Sequence, residues 1–354
     1  MKPPRAVTLL WAPRSRCNLG CDYCYFGTLE EHRDAPPTQP GQLSHLSQGD
    51  LHLADINRFL STIGDSNVKR VFIAGGEPLN WAPIGAVIKT LTSAGVEVTV
   101  CTNGIPLNRP AVRTMLIDTG VHAVSVSLDS ADPDLNDLHR PAHNPADGWS
   151  TVVSGIQALL ADRAARPDRS TLPKVGLYSV LTRLTLAGLP DTARFAADLG
   201  LDYFVPQPIA LERGHKLHDE LVLREEDLDT LTRVFDEVYD ADLGLDLPGR
   251  RYPGQVASTI RTELQMVHGC FGGHQLAFIQ PDGAVWDCPS SHKIAAQGRA
   301  GTQRSIATHT AAELFPAQTA TGGCDCPLFS GDCVNMLPLM EDFDRFLTTT
   351  GGAR

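Results

Sequence analysis

The chain has 354 residues, is 42% hydrophobic, and carries 30 basic and 41 acidic side chains for a formal net charge of −11. That length supports a sizeable core in one large domain or two ordinary ones, and the acidic balance argues against nucleic-acid binding, which needs a basic face. No apolar run approaches the ~20 residues of a membrane-spanning helix, and the apolar stretch from Ala6 to Ala12 is too short for a signal-peptide core. A cytoplasmic protein with no membrane partner is therefore expected.

From residue 7 to about 209, strand-like runs alternate with helix-like ones. Val7–Trp11 reads as a strand and Leu51–Ile63 as a helix. Val68–Ala74 is a strand that runs into Gly75-Gly76-Glu77-Pro78, followed by a helix over Pro83–Ala94. Val96–Cys101 is a strand ending in Thr102-Asn103-Gly104, then a helix over Ala111–Thr119. His122–Leu128, Lys174–Leu181 and Tyr203–Pro206 are further strands, with helices at Gly148–Arg163 and Leu189–Leu199. Such alternation means βαβ units around a parallel sheet. Six strands fall short of the eight of a closed barrel, so the expected fold is α/β, a partial (β/α)6 barrel.

Glu30–Gln48 and Asp132–Asp147 are polar and proline-bearing. Both are expected to be loops at the barrel mouth, where ligand-contacting residues gather. Glu212–Asp242 is charged and helical, and closes the barrel region. His215 and His218 within it read as part of a solvated linker helix rather than as a metal pair. The expected organisation is a barrel over 1–212, a linking helical segment over 213–262 and a small cysteine-rich extension over 263–354.

The nine cysteines read as metal ligands or core residues in a reducing compartment, not as disulfides. Cys17, Cys21 and Cys24 have the spacing C-x3-C-x2-C, so three thiolates converge within eight residues on a soft metal centre. Spacing alone leaves three readings open: an iron–sulfur cube with one open iron, a zinc site with a distant fourth ligand, or three unrelated core cysteines. Cys101, inside the apolar run from Val96, reads as a small core hydrophobe.

The stretch from Cys17 to Cys24, with Tyr23 before the last cysteine, resembles the signature loop of the radical S-adenosylmethionine superfamily. Gly75-Gly76-Glu77-Pro78 at the end of the second strand resembles that family's GGEP element. The resemblance covers residues 7 to about 210. It implies a [4Fe–4S] cluster on Cys17, Cys21 and Cys24, whose open iron takes the amino and carboxylate groups of S-adenosylmethionine. It also implies a flavodoxin- or ferredoxin-type electron donor and cleavage to a 5′-deoxyadenosyl radical that abstracts a substrate hydrogen.

By match, Gly75, Gly76 and Glu77 receive the S-adenosylmethionine ammonium, and Ser127 and Asp129 bond the ribose. Tyr23, Thr102, Asn103, Thr182, Arg183 and Gln207 complete the cofactor site at the strand ends. Tyr25 and Phe26 are expected to pack around the cluster. Asp132, His139, Arg140 and His143, after the fourth strand, are candidates to orient a polar or anionic substrate.

Between Cys270 and Cys288, two apolar runs flank Pro281-Asp282-Gly283, a hairpin turn. Cys270-x12-Gly283-x4-Cys288 resembles the opening of the SPASM or twitch extensions, which carry auxiliary iron–sulfur clusters. The pattern at Cys324, Cys326 and Cys333 departs from their usual spacing. A single auxiliary [4Fe–4S] cluster is expected from Cys270, Cys288, Cys324, Cys326 and Cys333, with one cysteine left over. A spare thiol at Cys324 or Cys326 is a candidate hydrogen donor.

The signature begins at Cys17, so a leader-peptide-binding domain ahead of it is not expected. The favoured substrate is a small polar natural product (a sugar, aminocyclitol or nucleoside) undergoing oxidation, decarboxylation or epimerisation. Maturation of a ribosomally made peptide and a non-catalytic iron–sulfur protein are the alternatives.

Overall fold

Six short, largely apolar runs form six strands: β1 (Val7–Trp11), β2 (Val68–Ile73), β3 (Glu97–Thr102), β4 (Ala123–Ser127), β5 (Lys174–Leu181) and β6 (Tyr203–Pro208). In the computed structural model they pair in parallel, each with its sequence neighbour. The structure describes residues 6–21, 23–24, 50–142, 144, 146–167, 172–211, 215–261, 267–291, 304–317, 324–326 and 331–342. The loop expected at Glu30–Gln48, together with Tyr25, Phe26 and His143, lies outside them.

The crossover helices are α1 (Leu53–Leu60), α2 (Ile84–Ser93), α3 (Pro110–Asp118), α5 (Trp149–Ala164) and α6 (Leu189–Asp198). Each turns an apolar stripe to the sheet, as α2 does with Ile84, Val87, Ile88 and Leu91. An extra helix, α4 (Pro133–His139), occupies the first half of the stretch expected as a loop. The cause is local: Asp132 accepts hydrogen bonds from the N–H groups of Asp134 and Leu135, and Pro133 has the φ a first helical turn requires.

Side chains alternate across the sheet. Leu9, Val71, Val98, Val100 and Val124 face the helices in an outer core. Leu10, Phe72, Tyr203, Val205, Met336 and Leu339 form a separate cluster inside the barrel.

After β6 come α7 (His218–Leu221), α8 (Leu228–Asp240) and α9 (Tyr252–Arg261). Then β7 (Val267–Cys270), β8 (Leu276–Ile279) and β9 (Val285–Trp286) follow. The turn between β8 and β9 uses Gly283 at φ +85°, where a Cβ would lie 2.6 Å from the Leu51 side chain. The hairpin is not a separate layer: β8 pairs in parallel with β1, Thr8 opposite Leu276 and Trp11 opposite Ile279. The result is an eight-stranded, mostly parallel sheet in the order β6-β5-β4-β3-β2-β1-β8-β9.

Downstream lie α10 (Ala311–Leu314), β10 (Cys324–Cys326) and α11 (Gly331–Leu337). Strand β10 pairs antiparallel with β7, and α11 packs on β6 and α9, bordering the open side of the barrel. Among the described residues no helix is long and apolar enough to cross a membrane.

Candidate active site

The C-terminal ends of the strands and the barrel interior enclose a cavity of about 230 Å³. Cys17, Cys21 and Cys24 line it, with Tyr23, Gly75, Gly76, Thr102, Asn103, Ser127, Arg140 and Gln207. Eleven residues assigned from sequence thus meet in one space.

The chain holds the cysteine loop against the β2 end by backbone bonds. Gly76 N–H donates to Arg14 C=O at 3.0 Å and Glu77 N–H to Arg16 C=O at 2.8 Å. A Cβ on Gly76 would lie 2.0 Å from the Arg16 carbonyl oxygen. Glycine here is required by the protein's own loop, a reason beyond close approach of a ligand.

Glu77 is 1% exposed. Its carboxylate accepts from Leu79 N–H at 3.0 Å, Thr102 Oγ1 at 2.9 Å and Asn103 N–H at 2.7 Å, tying the ends of β2 and β3 together. Burial pushes its pKa up to about 7, against the hydrogen bonds from Asn103, Leu79 and Thr102 and the charge of Arg109. Its side chain is therefore a clamp and does not line the cavity.

Among the described residues, N–H groups point at the sulfurs of Cys17 and Cys21. Leu19 N–H donates to Cys17 Sγ at 3.4 Å, Asn103 Nδ2 to the same sulfur at 3.7 Å, and Arg140 Nη1 to Cys21 Sγ at 3.8 Å. Burial, with Cys21 and Glu77 nearby, drives the Cys17 thiol up to about 12, so an uncomplexed thiolate is disfavoured there. Donors aimed at sulfur suit thiolate ligands of a metal cluster. Among the described residues no three Cys, His, Asp or Glu side chains converge closely enough for a single metal ion.

Asp129 is placed differently from the ribose-bonding role expected of it. It is 3% exposed and off the cavity wall. Arg140 clasps it with Nε at 2.6 Å and Nη2 at 2.9 Å, Val180 N–H donates at 2.8 Å, and the Tyr23 hydroxyl also bonds it. Arg140 stacks 5.8 Å from the Tyr23 ring centre. Arg140, expected to meet substrate, is thus committed to Asp129, Tyr23 and Cys21 while lining the cavity.

Four other expected residues lie elsewhere. Thr182 is buried in the turn after β5, where its hydroxyl serves Leu184 N–H and Thr185 N–H. Arg183 turns outward to Glu226 and Asp227. Asp132 caps α4. His139 is buried with its ring 5.6 Å from that of Tyr23. For Thr182, Arg183 and Asp132 the polar partners supplied by nearby backbone and side chains set the side-chain direction.

The cavity also contains residues that sequence reasoning missed: Leu10, Phe72, Cys101, Ser125, Tyr178, Asn335, Met336 and Leu339. The period-two pattern of β3 held the signal, since Val98 and Val100 facing the helices require Cys101 to face the interior.

The C-terminal cysteines form a second group. Cys288 feels Cys333 and Cys270 electrostatically, and burial first, then these neighbours, raises its thiol to about 12. Cys324 is the register partner of Cys270 in the β10–β7 pair. Cys288 packs against the same interior cluster as Cys24 and Cys101.

Residues 12–196 match the family model described as Radical SAM superfamily. A probable GTP 3′,8-cyclase of Methanopyrus kandleri is 30% identical over 203 residues, 57% of this chain and 56% of that protein. A GTP 3′,8-cyclase of Rhizobium meliloti is 34% identical over 210 residues, 56% of this chain and 51% of that one. The chain thus spans about half the length of the curated relatives it matches. Streptococcus suis SuiB bound to S-adenosylmethionine shares the fold at a TM-score of 0.58 and 18% identity, over 86% of this chain and 64% of SuiB. Native anSMEcpe with bound AdoMet does so at 0.60 and 18%, over 88% and 80%. With the cysteine loop, the glycine-rich β2 end and the partial barrel in place, the chain belongs to the radical SAM superfamily of enzymes, which bind S-adenosylmethionine and a [4Fe–4S] cluster.

Proposed function

We propose that this enzyme abstracts a hydrogen atom from a small polar substrate, of the sugar, aminocyclitol or nucleoside class, held inside the barrel. The supporting observation is a single cavity shared by the three loop cysteines, the polar strand ends and an interior lined by Tyr178, Gln207 and Asn335. Arg140 is the one charged side chain among the described lining residues, and Asp129 already neutralises it. An uncharged reacting group suits such a wall, because a buried charge needs a partner. The curated relatives are named for a nucleotide substrate, which favours the nucleoside branch.

When bound, the cluster and S-adenosylmethionine supply a 5′-deoxyadenosyl radical after one-electron reduction by a flavodoxin- or ferredoxin-type protein. The chain's own residues hold and shield this chemistry. Cys17, Cys21 and Cys24 ligate, and Asn103 and Arg140 steady the sulfurs. Gly75, Gly76, Thr102, Asn103, Ser127 and Gln207 offer polar contacts to S-adenosylmethionine. Apolar Leu10, Phe72, Met336 and Leu339 exclude water. Cys270, Cys288, Cys333 and one of Cys324 and Cys326 hold one auxiliary [4Fe–4S] cluster beside the interior. The barrel, linking helices and cysteine-rich extension act together in the reducing cytoplasm.

The test is anaerobic, with reconstituted protein and deuterated nucleosides, sugars and peptides. Formation of 5′-deoxyadenosine that takes deuterium from a nucleoside or sugar supports the proposal. Deuterium from a peptide alone replaces it with the peptide-maturation reading. Replacing Cys17, Cys21 and Cys24 together by Ala abolishes 5′-deoxyadenosine formation. Cleavage that persists in the triple variant refutes the initiation step.

A further inference from the structure

The interior face of β3 carries a thiol outside both cysteine groups. Cys101 borders the cavity and packs in the interior cluster with Cys24, Tyr178 and Phe72. Burial, and then the charge of Glu77, lifts its pKa to about 12, so it is a protonated S–H at neutral pH.

Two buried polar atoms on the same wall have no protein partner: the Tyr178 hydroxyl and Asn335 Oδ1. Asn335 is 4% exposed. Its Nδ2 donates to Pro208 C=O at 3.2 Å, and its backbone carbonyl accepts from Gln207 Nε2 at 3.0 Å. These bonds fix the amide on the cavity wall and leave its buried Oδ1 without a hydrogen-bond partner. A buried acceptor without a donor is unfavourable, and a ligand N–H or O–H would satisfy it.

We propose that Cys101 is the hydrogen-atom donor of the reaction, set in a floor that Tyr178 and Asn335 provide for an uncharged, N–H- or O–H-bearing part of the substrate. The proposal rests on the radical reading above. The substrate carbon first loses its hydrogen atom to the 5′-deoxyadenosyl radical. It then takes one from Cys101: a C–H bond forms, the S–H bond breaks, and a sulfur-centred radical remains. One electron from the low-potential flavin or iron–sulfur donor and one solvent proton restore the thiol. A cycle therefore consumes two electrons, one proton and one S-adenosylmethionine. The substrate leaves with its oxidation state unchanged, which selects epimerisation among the three outcomes considered. By contrast, Cys326, a donor candidate from sequence, does not line the cavity.

The experiment needs no substrate. Reduced holoenzyme is equilibrated in D2O and given S-adenosylmethionine alone, and the 5′-deoxyadenosine is weighed by mass spectrometry. The radical takes deuterium from the exchanged Cys101 S–D, so much of the product carries one solvent deuterium. In Cys101→Ser and Cys101→Ala the labelled fraction drops several-fold. This isotope ratio does not depend on the amount of active enzyme, so it is readable on whatever fraction of chains keeps its cluster. An unchanged ratio in both variants overturns the proposal, as does unlabelled 5′-deoxyadenosine from the native protein. Absence of 5′-deoxyadenosine altogether overturns the radical reading itself, and this proposal with it.

Discussion

At the scale of single residues, Asp129 is the most connected group of the site, joining β4, β5, the cysteine loop and Arg140. Its side chain is fully buried and that of Arg140 is 11% exposed. Removing one partner of a buried pair leaves an uncompensated charge and costs about 3–5 kcal/mol. Asp129→Asn is expected to lose that much in urea unfolding. Adding Arg140→Met recovers part of the loss, because the stranded charge goes too. Equal stability of Asp129→Asn and the native protein would contradict the packing described.

Glu77 gives a pH signature. Its pKa is near 7 when folded, against 4.5 as the ordinary value. Between those values the folded chain binds more protons than the unfolded one, so stability falls as pH rises through the window. In metal-free protein, the stability advantage of native Glu77 over Glu77→Gln shrinks between pH 5 and 8, by up to about 3 kcal/mol at ~1.4 kcal/mol per pKa unit. Thermal melts across that range measure it, and an advantage that grows with pH runs against the assignment.

At the scale of elements, the junction between the cysteine loop and the β2 end rests on two backbone hydrogen bonds and on the missing Cβ of Gly76. Gly76→Ala forces a methyl group into the Arg16 carbonyl. The expected outcome is a displaced Cys17 and a large loss of barrel-cluster iron, while any iron at the proposed auxiliary site is kept. Iron and sulfide assays of Gly76→Ala against a Gly254→Ala control, where a Cβ meets nothing within 4 Å, test this. The strands and crossover helices were legible in the sequence because their periodicity is local and strong; β5 appears with the bounds read from it. Helix α4 was obscured by its short length and by the prolines of the segment around it. The place of β8 was hidden because strand order depends on contacts distant in sequence.

For the whole molecule, the two cysteine groups lie on opposite parts of the chain and meet one interior cluster. The barrel cluster and the proposed auxiliary cube together imply about eight irons per chain. Cys288→Ala is expected to bring that to about four and to keep 5′-deoxyadenosine formation, and Cys17→Ala to lose the other half together with that activity. Zinc in the C-terminal group would exclude the auxiliary cluster. The cofactor end of the cavity was legible because its motif is a compact run of sequence. The interior wall was not, since Cys101, Tyr178 and Asn335 come from β3, β5 and α11 and share no local pattern. The directions of Arg183 and Asp129 likewise depend on partners supplied by other elements.

The pairing of β1 with β8 shapes how the protein is made. Strand β1 is synthesised before both of its partners and meets β2 within about sixty residues, but its other edge waits for Leu276–Ile279. At ~5–20 residues per second, that row of backbone donors and acceptors stays uncovered on the ribosome for tens of seconds. An open strand edge invites pairing with other chains, and closure over so long a loop is slow. Productive folding in the cell therefore depends on keeping nascent chains apart until the hairpin emerges, and a slower-translated or overexpressed message shifts the yield toward aggregates without altering a single contact of the finished enzyme.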